Sequence, residues 1–235
     1  MPVKHRPHLG RLVVLATALA APGGDLILRQ RTTGPTAGEQ TQYFSGDKMV
    51  TDDPHTRSIV DLAARTLTTA DKEKRTYWVR TFDDLRAESE RTQRSLAQLP
   101  NEARRQLGLD MPVTVKPTGR TERIAGYAAR EYAVTAGPAT GTVWITDQLA
   151  QPAAAREWER FSAVIGGAGR PGGRLAGELA KYDGVPLRSK MTLSMGPRTF
   201  DTSTEVIEVR QAAPPSEVLA VPAGFKKVDA SEATQ

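Results

Sequence analysis

The sequence predicts a mainly β (α+β) fold: a single curved antiparallel sheet, a half-barrel of about ten strands, with two or three helices covering its concave face. Three observations lead there. Short runs rich in Val, Ile, Thr, Tyr and Phe are punctuated by Gly, Pro and Asp roughly every eight to twelve residues, the spacing of antiparallel hairpins and not of βαβ units. Two stretches with apolar residues three and four apart interrupt these runs, near 83–107 and 152–165. The chain has 235 residues, 39% hydrophobic and 25% charged, enough for one domain with a real core.

The amino end reads as a signal peptide spanning 1–20. Lys4, Arg6 and Arg11 precede an apolar run at 12–20, and Ala18-Leu19-Ala20 places small residues where a signal peptidase cuts. The run is about half the ~20 residues needed to cross a bilayer, so no transmembrane anchor is expected after cleavage. The predicted location is periplasmic or secreted. Of 32 basic residues those three lie in this segment, leaving 29 against 27 acidic ones. A mature chain so near neutrality argues against nucleic acid as a partner, because duplex binding needs a concentrated basic face.

The domain proper is expected over 21–228, with a disordered tail at 229–235. Residues 25–31 open it as a strand that 42–44 continue. Ser45-Gly46-Asp47-Lys48 and Asp52-Asp53-Pro54 are turns, since Gly and Asp tolerate the positive backbone angles of tight hairpins. Strands follow at 48–51, 57–62, 66–69 and 75–82. Asp83 is placed to cap a helix whose stripe is Leu85, Ser89, Thr92, Leu96 and Leu99. Pro100 breaks it before a short second piece ended by Gly108. Strands resume near Val113; Pro117-Thr118-Gly119 is expected to turn, with strands at 120–124, 127–135 and 140–146 beyond it. Pro152 suits the first turn of a helix presenting Ala154, Trp158, Phe161 and Ile165. A glycine-rich loop from Gly166 to Gly173 and a short helix with Leu175, Leu179 and Tyr182 come next. Strands at 185–195, 199–210, 217–221 and 225–228 close the chain.

Little in this sequence carries chemistry. There is no cysteine, which excludes thiol catalysis, iron–sulfur clusters and a lipid-anchored cysteine. Of three histidines, His5 and His8 leave with the signal peptide. His55 stands alone in a Pro54-His55-Thr56 turn without a Gly-x-Ser-x-Gly elbow. Asp52-Asp53 and Asp83-Asp84 are neighbours that point apart on a strand, so turn formation and helix capping explain them better than paired acid–base work. The glycines of 166–177 lack the Gly-Lys-Ser/Thr ending of a phosphate loop. No enzyme activity, metal or cofactor is expected.

Several short runs carry a family resemblance: Tyr43-Phe44-Ser45-Gly46-Asp47-Lys48, Ile59-Val60-Asp61-Leu62, Lys74-Arg75-Thr76-Tyr77-Trp78, Ile124-Ala125-Gly126-Tyr127 with Glu131-Tyr132, Val143-Trp144-Ile145-Thr146, Gly184-Val185-Pro186-Leu187, and Pro222-Ala223-Gly224-Phe225-Lys226. In their order the mature chain resembles an exported bacterial domain of unknown function with the half-barrel fold of the periplasmic lipoprotein carriers (LolA/LolB/LppX-like). The resemblance implies a concave face that receives a lipid, a lipoprotein acyl chain or another hydrophobic ligand. The expected apolar lining is Tyr77, Trp78, Trp144, Trp158, Phe161, Met191 and Met195, residues whose commoner role is ordinary core packing. The alternative is an envelope protein–protein interaction or assembly module with a filled core. A carboxylate hydrolase ranks last.

Overall fold

The structure, a computed structural model, describes residues 24–165, 171–195 and 197–230. The predicted signal peptide, residues 166–170 of the predicted glycine-rich loop and the last five residues of the predicted tail lie outside these.

Six strands form a first meander: β1 (Leu26–Thr33), β2 (Gly38–Ser45), β3 (Lys48–Asp52), β4 (Thr56–Asp61), β5 (Thr66–Asp71) and β6 (Thr76–Thr81). Helices α1 (Phe82–Ala97) and α2 (Asn101–Gln106) then carry the chain to the opposite edge. There a second meander starts: β7 (Val113–Ile124), β8 (Tyr127–Ala136), β9 (Ala139–Thr146), β10 (Val185–Met195) and β11 (Arg198–Arg210). Helices α3 (Ala153–Ile165) and α4 (Pro171–Leu179) stand between β9 and β10. β1 pairs with β11 and joins the meanders, and β12 (Lys226–Lys227) adds to β6. The result is one curved, unclosed twelve-stranded sheet, β12-β6-β5-β4-β3-β2-β1-β11-β10-β9-β8-β7.

Alternation along the strands decides which side the helices cover. In β1, Leu26, Leu28 and Gln30 turn to the inner, helix-bearing face, while Arg29 and Arg31 turn outward to share Glu39 of β2. Over that inner face α3 packs on β2 and β3, α4 packs on β7 and β8, and α1 lies against α3. Buried Leu26, Leu28, Phe44, Val206 and Ala155 form one core, which continues through Val185 and Leu187 to Trp144, Ile124 and Ala129. Tyr132, Val134, Val143 and Ile145 form another beneath Leu175 and Leu179 of α4 and Tyr182, which follows it.

Several elements differ from the sequence expectation, each for a local reason. The sheet has twelve strands and is mixed, because β12 runs parallel to β6. Helix α1 is capped by Thr81, not Asp83. Thr81 and Asp84 form a reciprocal box in which the Asp84 N–H donates to Thr81 Oγ1 at 3.1 Å and the Thr81 N–H to Asp84 Oδ2 at 3.1 Å. Pro117-Thr118-Gly119 is a break in the β7–β8 register and not a turn; β7 is an edge strand, where a proline is tolerated. Pro171 begins α4, where a loop was expected, its fixed φ and missing donor suiting a first turn. Residues 217–221 are no strand: Ser216–Leu219 is a 3₁₀ turn. Its carbonyls are held from the outer face, Arg57 donating to Glu217 O at 3.0 Å and Ala220 O at 3.2 Å, and Lys48 to Leu219 O at 3.5 Å.

The β7–β8 hairpin also bends. Glu122 of β7 meets Arg188 of β10 at 2.7 Å, although β8 and β9 stand between them in the sheet. Three inter-strand steps of ~4.8 Å are too far for one close ion pair on a flat surface. The part of the hairpin beyond the register break therefore folds over the outer face, where Ile124 and Ala129 join the core that holds Trp144.

Candidate ligand cavity

Between α3 and the inner faces of β1, β2 and β3 the helix does not meet the sheet completely. A cavity of about 370 Å³ remains, walled by Leu26, Leu28, Phe44, Met49, Pro152, Ala155 and Trp158. The local sequence explains the gap. Pro152 and the small residues Ala154 and Ala155 lead α3 onto the strands, and small side chains cannot fill the distance that the bulky Trp158, one turn later, imposes. Trp158 is held in place by an aromatic cluster: Phe161 stacks on Phe82 with ring centroids 4.2 Å apart, and Trp158 lies 5.6 Å from Phe161 and 5.9 Å from Phe82. Phe82, buried at the start of α1, thereby ties the crossover to α3.

Val185 and Pro186 complete the apolar wall, and the polar lining among the described residues is Gln30, Gln42, Thr51, Gln151 and Glu159, without a basic residue. Gln40 donates to Gln30 Oε1 at 2.8 Å, and Gln30 donates to Gln42 Oε1 at 3.2 Å, a cross-strand amide ladder along the cavity wall. Gln151 donates to Glu159 Oε2 at 2.7 Å. Burial pushes the Glu159 carboxyl above the usual range, against the pull of this bond and of the Arg156 charge.

Of the residues expected to line a ligand space, Trp158 does, and Phe161 and Phe82 buttress it. Trp78 and Tyr77 are neighbours on β6 and face opposite sides. Trp78 shares the inner face, its strand partner being Thr69, while Tyr77 is paired with Ala70 and Lys227 on the outer one. Trp144 lies on the outer face, with the Arg188 guanidinium 5.3 Å and the Lys190 ammonium 5.5 Å from its ring centroid. Met191 packs in the core under α4. Met195 ends β10 opposite Arg198. The sequence expectation passed over Gln30 and Gln42. Their signal was present: in Leu26-x-Leu28-x-Gln30 a glutamine continues an apolar strand face.

Elsewhere the polar groups are engaged structurally. Asp53 accepts from the backbone of His55 and Thr56 at 2.8 Å each, so His55 sits in an exposed turn. Asp52 is held by Arg57 at 2.8 Å and Lys72 at 2.9 Å. A wider, open hollow of about 720 Å³ beside α3 is lined by Asp47, Leu62 and Ala63 and, from α3, by Ala153, Arg156, Glu157 and Arg160. No helix among the described residues is long and apolar enough to cross a membrane.

Solved structures similar to this chain include PNGF-II (10% identity, TM-score 0.44, covering 90% of this chain and 32% of that one). An uncharacterized conserved protein from Thermus thermophilus is similar at 7% identity, with a TM-score of 0.46, over 88% of this chain and 91% of that one. MucB is similar at 12% identity, with a TM-score of 0.42, over 88% and 60%. The chain thus spans about a third of the length of PNGF-II. No curated protein matches it. Residues 27–225, from the second residue of β1 to the last before β12, match the DUF4412 family model, and the chain belongs to this family, whose domain is one of unknown function.

Proposed function

We propose that this protein is a non-catalytic component of the bacterial envelope that holds a lipid, an acyl chain or another hydrophobic ligand in the cavity beneath α3. The observation that carries this reading is the cavity itself: about 370 Å³ between a buried apolar strand surface and Trp158, within the size range of small-molecule sites. Each methylene placed there contributes on the order of 0.8 kcal/mol, so ~10 of them support useful affinity without a charged anchor. Export is supported by the cationic, apolar, Ala-x-Ala amino end. The absence of catalysis is supported by the engagement of Asp52, Asp53 and Asp84 in turns, ion pairs and a helix cap.

Native mass spectrometry of protein purified gently from a bacterial envelope tests this. A copurifying small amphiphile, displaced in a Thr51→Trp variant that fills the cavity wall, is the expected result. A protein recovered empty, indifferent to added lipids and unaltered by the substitution would leave the filled-core interaction module as the better account.

A further inference from the structure

The ligand's head group can be read from what the cavity wall lacks. Among the described residues its polar lining comprises Gln30, Gln42, Thr51, Gln151 and the single acid Glu159, with no lysine or arginine. The same strands are strongly charged on their other side, where Arg29, Arg31 and Glu39 cluster. Positive charge is thus plentiful on this sheet's outer face and missing from the described cavity lining. An anion entering there would lose its hydration, find no cation in the described lining, and face the Glu159 carboxylate, toward which the neighbouring Arg156 charge already acts.

Glutamine amides offer donors and acceptors in equal number, the complement of groups such as hydroxyls and amides that do both. Gln42 enters the ladder through its carbonyl oxygen, which leaves its amide N–H groups for a bound molecule. The volume sets the tail. At ~30 Å³ per water-sized group, about a dozen non-hydrogen atoms fit, a single chain and not the paired or tripled chains of a membrane lipid or lipoprotein.

Building on the proposed cavity function, we infer that the cavity under α3 selects single-chain amphiphiles with an uncharged, hydroxyl- or amide-bearing head and excludes anionic ones. Fatty-acid carboxylates and lipid phosphates are therefore poor ligands, whatever their tail.

Calorimetric titration of the full chain at pH 8 with three ten-carbon probes below their micelle or solubility limits tests this: decanamide, decanoate and decyltrimethylammonium. Decanamide, the same size as decanoate, is expected to bind at least tenfold more tightly. Gln42→Arg, which supplies the missing counter-charge, is expected to shrink or invert that ratio; because the ratio is taken within one variant, moderate destabilisation does not blur it. Decanoate binding as tightly as the amide, or decyltrimethylammonium binding tightest, would overturn the selectivity while leaving the cavity function standing. Failure of all three probes, and of uncharged decanol, would overturn both.

Discussion

The two faces of the first meander are built from alternate residues of the same strands, yet they solve opposite problems. On the outer face opposite charges meet: Arg29 and Arg31 hold Glu39 at 2.7 and 2.8 Å, and Arg57 and Lys72 hold Asp52 at 2.8 and 2.9 Å. On the inner face at the cavity, Gln30, Gln40 and Gln42 are uncharged and bond to one another, and the one charge that β6 turns to this face, Arg80, pairs with Glu88 of α1. Two carboxylates express the contrast. Burial draws Asp52 upward, but hydrogen bonds from Arg57 and Lys72 on the outer face outweigh it and leave the group below its ordinary range. Burial draws Glu159 upward at the inner cavity, where nothing of comparable strength opposes it. A strand can therefore separate ionic from neutral chemistry within one residue step, provided that one face stays wet and helices cover the other.

The largest test of this division lies inside. Phe82→Ala removes the ring on which Phe161 stacks and is expected to cost about 3–4 kcal/mol in urea denaturation. A loss below about 1 kcal/mol would mean that the aromatic cluster does not hold the helices to the inner face. Next comes Arg57→Ala, which strands the Asp52 carboxylate (18% exposed) beside Lys72 alone and releases two carbonyls of the C-terminal 3₁₀ turn. About 2–3 kcal/mol of stability should disappear at pH 7, and the difference from wild type should narrow as acid protonates Asp52.

Glu159→Gln sharpens the contrast because its sign is reversed. The folded protein binds the Glu159 proton more tightly than the unfolded chain, whose value is near 4.5, so wild-type stability from this group falls as pH rises through that window. The variant should therefore melt slightly above wild type at pH 7 and coincide with it near pH 4; a variant less stable at pH 7 would show Glu159 to be a structural anchor. The smallest effect belongs to the outer surface: Glu39→Ala breaks two half-exposed ion pairs and should leave the urea midpoint close to that of wild type. A marked fall would mean that the outer charges hold the sheet together.

Much of the fold was legible because its signals are local. The turns at Ser45-Gly46-Asp47-Lys48 and Asp52-Asp53-Pro54, the α1 stripe and the Pro152 start of α3 depend on residues a few positions apart, and they stand where the spacing puts them. The misplacements are equally local but subtler. Thr81 took the cap from Asp83 because its partner Asp84 completes a reciprocal box, and the 217–221 segment became a turn because side chains from β3 and β4 claim its carbonyls.

The site was less legible, and Trp144 and Trp158 show why. Both are large apolar residues in apolar runs, and nothing in the sequence distinguishes the one beside the cavity from the one covered by Arg188 and a folded-back hairpin. The amino-acid sequence by itself determined the β-rich class, the hairpin spacing, the helical insertions and the poverty of reactive side chains, since these follow from periodicity and composition. Only the tertiary structure decided which face the helices cover and where they fail to meet the sheet. Alternation makes two faces without naming the inner one. Register shifts at Arg29/Gln30, Pro117/Thr121 and Pro186/Arg188 change its phase, and a cavity exists only where distant segments pack imperfectly.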